Sequence, residues 1–165
     1  MATLTVTTNP TGSTDVVTDH YDIPRSGVNA AETALTTSNL NSMEFGKVGE
    51  FSADGQIDGQ TLYLSQLAIP GQGTKNVLYV ATENDSVYAA DADSISGSNA
   101  TVIWKSSVLP SGEAPADAGS LPCGNINPNG ITATPVIDRG RNAVYVEAMS
   151  KSSTGRIITG CTRWT

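Results

Sequence analysis

Val77-Leu78-Tyr79-Val80-Ala81 is followed, after a short polar break, by Ser86-Val87-Tyr88-Ala89-Ala90-Asp91, and these two stretches decide the fold. Both are rich in β-branched, aromatic and small apolar residues, and both are bounded by turn formers, so both read as strands. Thr61-Leu62-Tyr63-Leu64 precedes them and Val102-Ile103-Trp104 follows. The pattern then restarts at Ile131-Thr132-Ala133-Thr134-Pro135-Val136-Ile137 and Ala143-Val144-Tyr145-Val146. Short strands separated by turns, then the same again, are how a β-propeller blade reads. The expectation is an all-β chain, an incomplete β-propeller of about two four-stranded antiparallel blades with an N-terminal extended segment.

Working outward, the first full blade spans residues 55–108, with strands near 60–69, 76–82, 86–91 and 101–107. Pro70-Gly71-Gln72-Gly73 and Asp93-Ser94-Ile95-Ser96-Gly97 carry turn chemistry between them. Residues 109–129 form a long loop rich in Pro, Gly and Ala, a length that marks function or bracing. The second blade begins at Gly130 and occupies 130–150, its third and fourth strands not evident. Upstream, residues 1–10 alternate like a strand without a partner and read as the end of an immunoglobulin-like domain. Residues 11–54 are polar and weakly periodic, an ordered segment laid over the propeller, with a short strand expected within 45–51.

Charged residues make up 15% of the chain and the net charge is −7, so no basic stripe exists to neutralise phosphates or an anionic membrane. No run approaches the roughly 20 apolar residues of a membrane helix. The first residues lack the basic start and apolar core of a signal peptide, so none is expected within this stretch. Two cysteines, Cys123 and Cys161, do not define a disulfide framework.

Candidate chemistry is sparse. His20, the one histidine, sits in Asp19-His20-Tyr21-Asp22 without a second ligand or a nucleophile and reads as a surface residue. Asp85, Asp91 and Asp93 offer oxygen ligands for calcium, but the twelve-residue loop with its terminal Glu is missing, so they read as turn formers. Gly71-Gln72-Gly73 lacks the Lys-Ser or Lys-Thr of a phosphate loop and reads as a hairpin. Cys123 reads as a free thiol or as half of a bridge to a partner outside the chain, with a pairing to Cys161 as the alternative. Catalytic, cofactor-binding and metal-binding residues are therefore expected to be absent.

Residues 19–150 resemble the secreted bacterial quinoprotein-like β-propellers, the family of pyrroloquinoline quinone (PQQ) repeats. The resemblance rests on Asp22, Arg25, Gly27, Asn29, Glu32, Leu35, Asn39, Phe45-Gly46-Lys47, Asp54-Gly55-Gln56, Gln60 and Ile69-Pro70-Gly71. It continues through residues 76–83, Asp85-Ser86-Val87-Tyr88-Ala89 and residues 130–138. The family's tryptophan docking motif, Ala-x-Asp-x-x-(Thr/Ser)-Gly-x-x-x-Trp, is represented by Ala89, Asp91, Gly97 and Trp104, with longer spacing around the glycine. In that motif the indole fills the gap between neighbouring blades and the Asp ties a turn, so all four are expected to be structural.

The resemblance implies a repeat protein placed outside the cell, at the cell surface or in the periplasm, with a non-catalytic binding or scaffolding role and an unidentified ligand. It leaves two alternatives: part of a PQQ-dependent alcohol or sugar dehydrogenase whose catalytic residues lie on other blades, and a carbohydrate-binding or adhesive module. PQQ and calcium are implied only for a full-length protein, with no cofactor in this chain. The expected partners are the remaining blades of the same protein and, through open sheet edges, further copies of the chain.

After Lys151 the pattern breaks, and residues 151–165 read as an aberrant tail. Arg156-Ile157-Ile158-Thr159-Gly160-Cys161-Thr162-Arg163-Trp164-Thr165 does not look like a third strand of the family type. Permitted codons for it, read from the third base, encode Tyr-His-His-Arg-Leu-His-Ala-Leu-Asp. Leu-His-Ala-Leu-Asp parallels Val87-Tyr88-Ala89-Ala90-Asp91, so the tail is expected to be a frameshift product, leaving Cys161 and Trp164 without function.

Overall fold

A computed structural model describes residues 15–30, 32–33, 35–38, 40, 47, 49–97 and 100–164. Among the described residues the chain is all-β, with two antiparallel sheets and three short 3-10 turns. The first sheet is a meander of β1 (Leu62–Ile69), β2 (Gly73–Ala81), β3 (Ser86–Asp91) and β4 (Val102–Ser107), in that order. Its first hairpin closes at Pro70-Gly71, where Gln72 N donates to Ile69 O and Gly71 adopts a φ of 74°. Proline before a positive-φ glycine is the requirement of a type II turn, and it explains the paired turn residues.

The second sheet is built differently from the expected blade. Its centre is β7 (Ala143–Ser152), flanked on one edge by β8 (Ile157–Trp164). Its other edge carries two three-residue strands end to end, β5 (Glu113–Pro115) near Ser152 and β6 (Val136–Asp138) near Ala143. Two readings are corrected here. Residues 113–115, assigned to a long loop, form a strand, too short and too Pro-bounded to show a period. The tail expected to lack a third strand supplies one, since Ile157–Trp164 pairs in continuous register with β7 from Lys151↔Ile157 to Val144↔Trp164. The two sheets do not close into a ring.

The sheets pack face to face. Alternation in β1, β2 and β3 turns Leu62, Leu64, Val77, Tyr79, Ala81, Val87 and Ala89 to one side. Val144, Val146 and Ala148 of β7 join them in a single buried cluster, with Val16, Val17, Ile131 and Ile137 completing it. All six residues of β3 are buried, because the opposite face of the first sheet is covered as well. There Phe51 meets Tyr88 edge-on at 5.3 Å between centroids, and Asp54 N donates to the Tyr88 hydroxyl. A parallel bridge between Gly49 and Gly97 anchors the start of this cover. The strand expected within 45–51 falls partly outside the described residues, as does the whole of the strand expected over 1–10.

Residues 15–17 pin the two sheets together. Val16 pairs with Tyr63 on the free edge of β1, and Val17 O accepts from Ile137 N of β6. Asp15, 1% exposed, accepts from Ser65 N and Oγ at 2.7 Å each and pairs with Arg139 Nη2 at 2.6 Å. Side-chain oxygen thus takes the place of a ladder carbonyl at Ser65, beside a bulge between Leu64 and Leu67 that interrupts the β1–β2 register.

Candidate functional site

An apolar groove of about 670 Å³ lies between the sheets. Leu64, Leu67, Ile69 and Ile103 line the side of the first sheet, and Ile137 and Val144 the side of the second. Tyr79 and Trp104 form its aromatic wall, with ring centroids 6.1 Å apart and planes at 60°. Register explains the pair: Tyr79 lies opposite Ala89 and Ala89 opposite Trp104, so all three share one face and the small central residue lets the rings approach over it. Burial raises the Tyr79 hydroxyl pKa above the ordinary value, so this wall stays neutral and apolar through the usual pH range.

The remaining motif residues shape the approach to Trp104. Asp91 Oδ1 accepts from Asp93 N at 3.2 Å, its carbonyl accepts from Ser94 Oγ at 2.8 Å, and Lys75 Nζ sits 2.6 Å from Oδ2. The Lys75 ammonium holds the Asp91 carboxyl below the usual range. Gly97, at a φ of 58°, gives its carbonyl to Glu50 N at 2.7 Å. Two bonds from one aspartate to its own turn thereby set where β4 starts and where the indole falls.

The other singled-out residues do not converge on this groove. Asp85 lies at one end of β3 and Asp91 at the other, so the three aspartates do not share one ion. Asp93 accepts from Asn76 Nδ2 on the Asp91 side. His20 is exposed, pairs with Asp19 through Nδ1 at 3.0 Å, and stands in a turn where His20, Tyr21 and Arg25 all take positive φ. Cys123 and Cys161 are both exposed and unpaired. Lys151 Nζ lies 2.6 Å from Ser120 Oγ and 2.6 Å from Asp117 Oδ2, so lysine, serine and aspartate form one surface ion pair and hydrogen bond away from the groove.

Sequence reasoning missed two sites that the tertiary structure creates. One is the groove itself, whose walls come from strands far apart in the chain. The other is a pair of buried carboxylates, Glu83 and Asp85, in the β2–β3 turn, each 0% exposed. The signal for the second was present as two acids within one short turn between apolar strands. Among the described residues, no three His, Cys, Asp or Glu side chains are grouped to hold a metal ion, and no helix is long and apolar enough to cross a membrane. Comparison with protein-family models, with curated proteins and with solved structures returned no match.

Proposed function

We propose that this chain is part of a quinoprotein-like β-propeller, exported to the cell surface, the periplasm or the medium, that binds or scaffolds rather than catalyses. The observation that carries the reading is the recurrence of one three-strand meander, β1-β2-β3 and β6-β7-β8, with the two copies face to face. Adjacent blades of a propeller stand in that relation. Trp104 supports it, since its indole lies on Tyr79 in the groove between the meanders, where the docking motif of that family would put it.

The non-catalytic part of the reading rests on the chemistry of the groove. Its wall is aliphatic and aromatic, and the charged groups at its rim are committed: Arg139 to Asp15, Lys105 to Asp54, and Asp138 to Arg141. A quinone and calcium would find no oxygen cluster in it. Any such group belongs to blades beyond these two, which is the dehydrogenase alternative.

The test uses the product of the intact locus. Dye-linked oxidation of alcohols or sugars that requires both added quinone and calcium would overturn the non-catalytic reading. No oxidation, with saturable binding to a glycan array or to a cell-surface fraction, is the expected result. Glycan binding abolished by excess free sugar would select the adhesive form of the proposal.

A further inference from the structure

The β2–β3 turn, residues 82–85, is where the first sheet meets the second. Thr82, Glu83 and Asp85 are each fully buried beneath residues 54–58 on one side and 130–132 on the other. Glu83 N donates to Gln56 O at 2.9 Å, and Ile131 N donates to Thr82 O at 3.3 Å. Gly130 N donates to Glu83 Oε2 at 2.7 Å, Thr132 Oγ1 to the same oxygen at 3.1 Å, and Gly130 O accepts from Met149 N of β7 at 2.9 Å. A continuous path of hydrogen bonds therefore runs from the turn of one sheet through Gly130 to the central strand of the other. Gly130 fits because it has no side chain: a Cβ there would overlap Glu83 O and stand 2.7 Å from Asp85 Oδ1.

Three carboxylate oxygens in this joint, Glu83 Oε1 and both Asp85 oxygens, are buried with no hydrogen-bond donor among the described residues. The charges that face them are of the wrong sign. Glu83 stands beside Asp85, and Asp58 beside Glu83. Asp54 packs against the turn through the Thr82 and Ser86 hydroxyls, and the nearby cation, Lys105, is bound to it at 2.8 Å. Two ionised carboxylates in such a place lose their hydration without gaining a donor, so a proton is the remedy.

We propose that this turn is a proton-held latch between the two sheets: Asp85 enters the fold as the neutral acid, and its ionisation loosens the joint at Gly130. Burial first, and then the Glu83 charge, push the Asp85 carboxyl up to about 7. Burial also raises Glu83, against the opposing pull of the Gly130 N–H. A carboxyl raised on folding binds its proton more tightly in the folded state. Its contribution is therefore complete below the ordinary value of 3.8 and is lost as pH rises through about 7. The latch is closed in mildly acidic surroundings and weakened in alkaline ones.

The experiment is urea unfolding of the whole chain and of Asp85→Asn at intervals from pH 4.5 to 8.5, with amide hydrogen exchange at Ile131 and Met149. The folding constant of the unsubstituted chain should fall roughly a hundredfold or more across that range, with the protection factors of both amides, corrected for base-catalysed intrinsic exchange, falling as well. Asp85→Asn should be nearly flat and, at pH 8.5, the more stable of the two. Should that variant not fold, carboxyl carbon NMR of the unsubstituted chain gives the same answer directly. An Asp85 midpoint near 4, or an equal slope in both proteins, would overturn the proposal. So would stabilisation at pH 8 by millimolar calcium that Asp85→Asn abolishes, because a cation would then be the partner of the carboxylates.

Discussion

Tyr79 and Trp104 stand two strands apart on one face of the first sheet, their rings 6.1 Å apart across Ala89. The distance is a consequence of the residue between them. A larger side chain on β3 would hold the rings apart and fill the groove from below. The aromatic wall, and with it the seat for the second sheet, thus depends on an alanine.

Trp104→Ala should cost about 2–3 kcal/mol, less than the ~3–5 of a fully buried tryptophan because the indole is only partly covered. Ala89→Leu should cost about 1–3 kcal/mol by overpacking. Thermal and urea unfolding followed by far-UV circular dichroism measure both. The double variant should cost less than the sum of the two, since the leucine occupies space that the indole vacates. Strict additivity would show that the pair is not coupled through Ala89.

Acid should unfold the protein from the opposite direction to alkali. Lys75 beside Asp91, Lys151 beside Asp117 and Arg141 beside Asp138 hold these carboxyls below their ordinary value of 3.8. For a depressed carboxyl the stabilisation is present above the unfolded value and lost as pH falls through the folded one. Urea midpoints should therefore fall modestly below about pH 4, since these pairs lie at the solvated surface, leaving maximal stability at mildly acidic pH. Lys75→Met should remove the Asp91 share of the acid limb, making it shallower, while leaving the Asp85 limb unchanged.

The outer edge of β8 should drive association. In the first sheet the third strand is covered by β4, whereas among the described residues no strand pairs with β8 on its outer side. Exposed backbone donors and acceptors on such an edge template pairing with another chain. Light scattering coupled to size-exclusion chromatography should show dimers or larger species at micromolar concentration. Gly160→Lys should restore the monomer, because a Cβ at Gly160 meets nothing within 4 Å and a lysine on an edge opposes strand addition. A compact monomer before substitution would rule this out.

Resequencing the locus tests the frameshift reading of the tail. Cys161 pairs with Glu147 on β7, and Val87 pairs with Ala81 on β2, the corresponding strand of the first sheet. A one-frame shift near residue 155 would bring Leu-His-Ala-Leu-Asp to this stretch of β8, and further blades should follow in the same frame. Confirmation of the present frame through Thr165 would show that β8 is the genuine third strand.

The first sheet was legible because its signals are local. Period-two alternation and β-branched content mark β1 to β4, and Pro70-Gly71 and residues 82–85 mark the turns, so observed strands fall within a few residues of those expected. The second sheet was legible at β7 and, through Val136-Ile137, at the start of β6. Residues 131–135 read as strand yet serve as the joint, their pairing taken by Thr82 and Glu83 of the other sheet. β5 is three residues long, and β8 lacks alternation, so neither carries a period to detect.

Sequence by itself determined an all-β chain, the meander of the first sheet and its turn residues, because propensity, periodicity and turn chemistry act over a few neighbours. Tertiary structure alone decided which face of each sheet is buried against the other, that Asp15 pairs with Arg139, that Tyr79 and Trp104 wall a groove, and that Glu83 and Asp85 lose water. Those are contacts between residues far apart in the chain. A carboxylate in a polar turn and one sealed under a neighbouring sheet have the same letter in the sequence and differ only in what the fold lays over them.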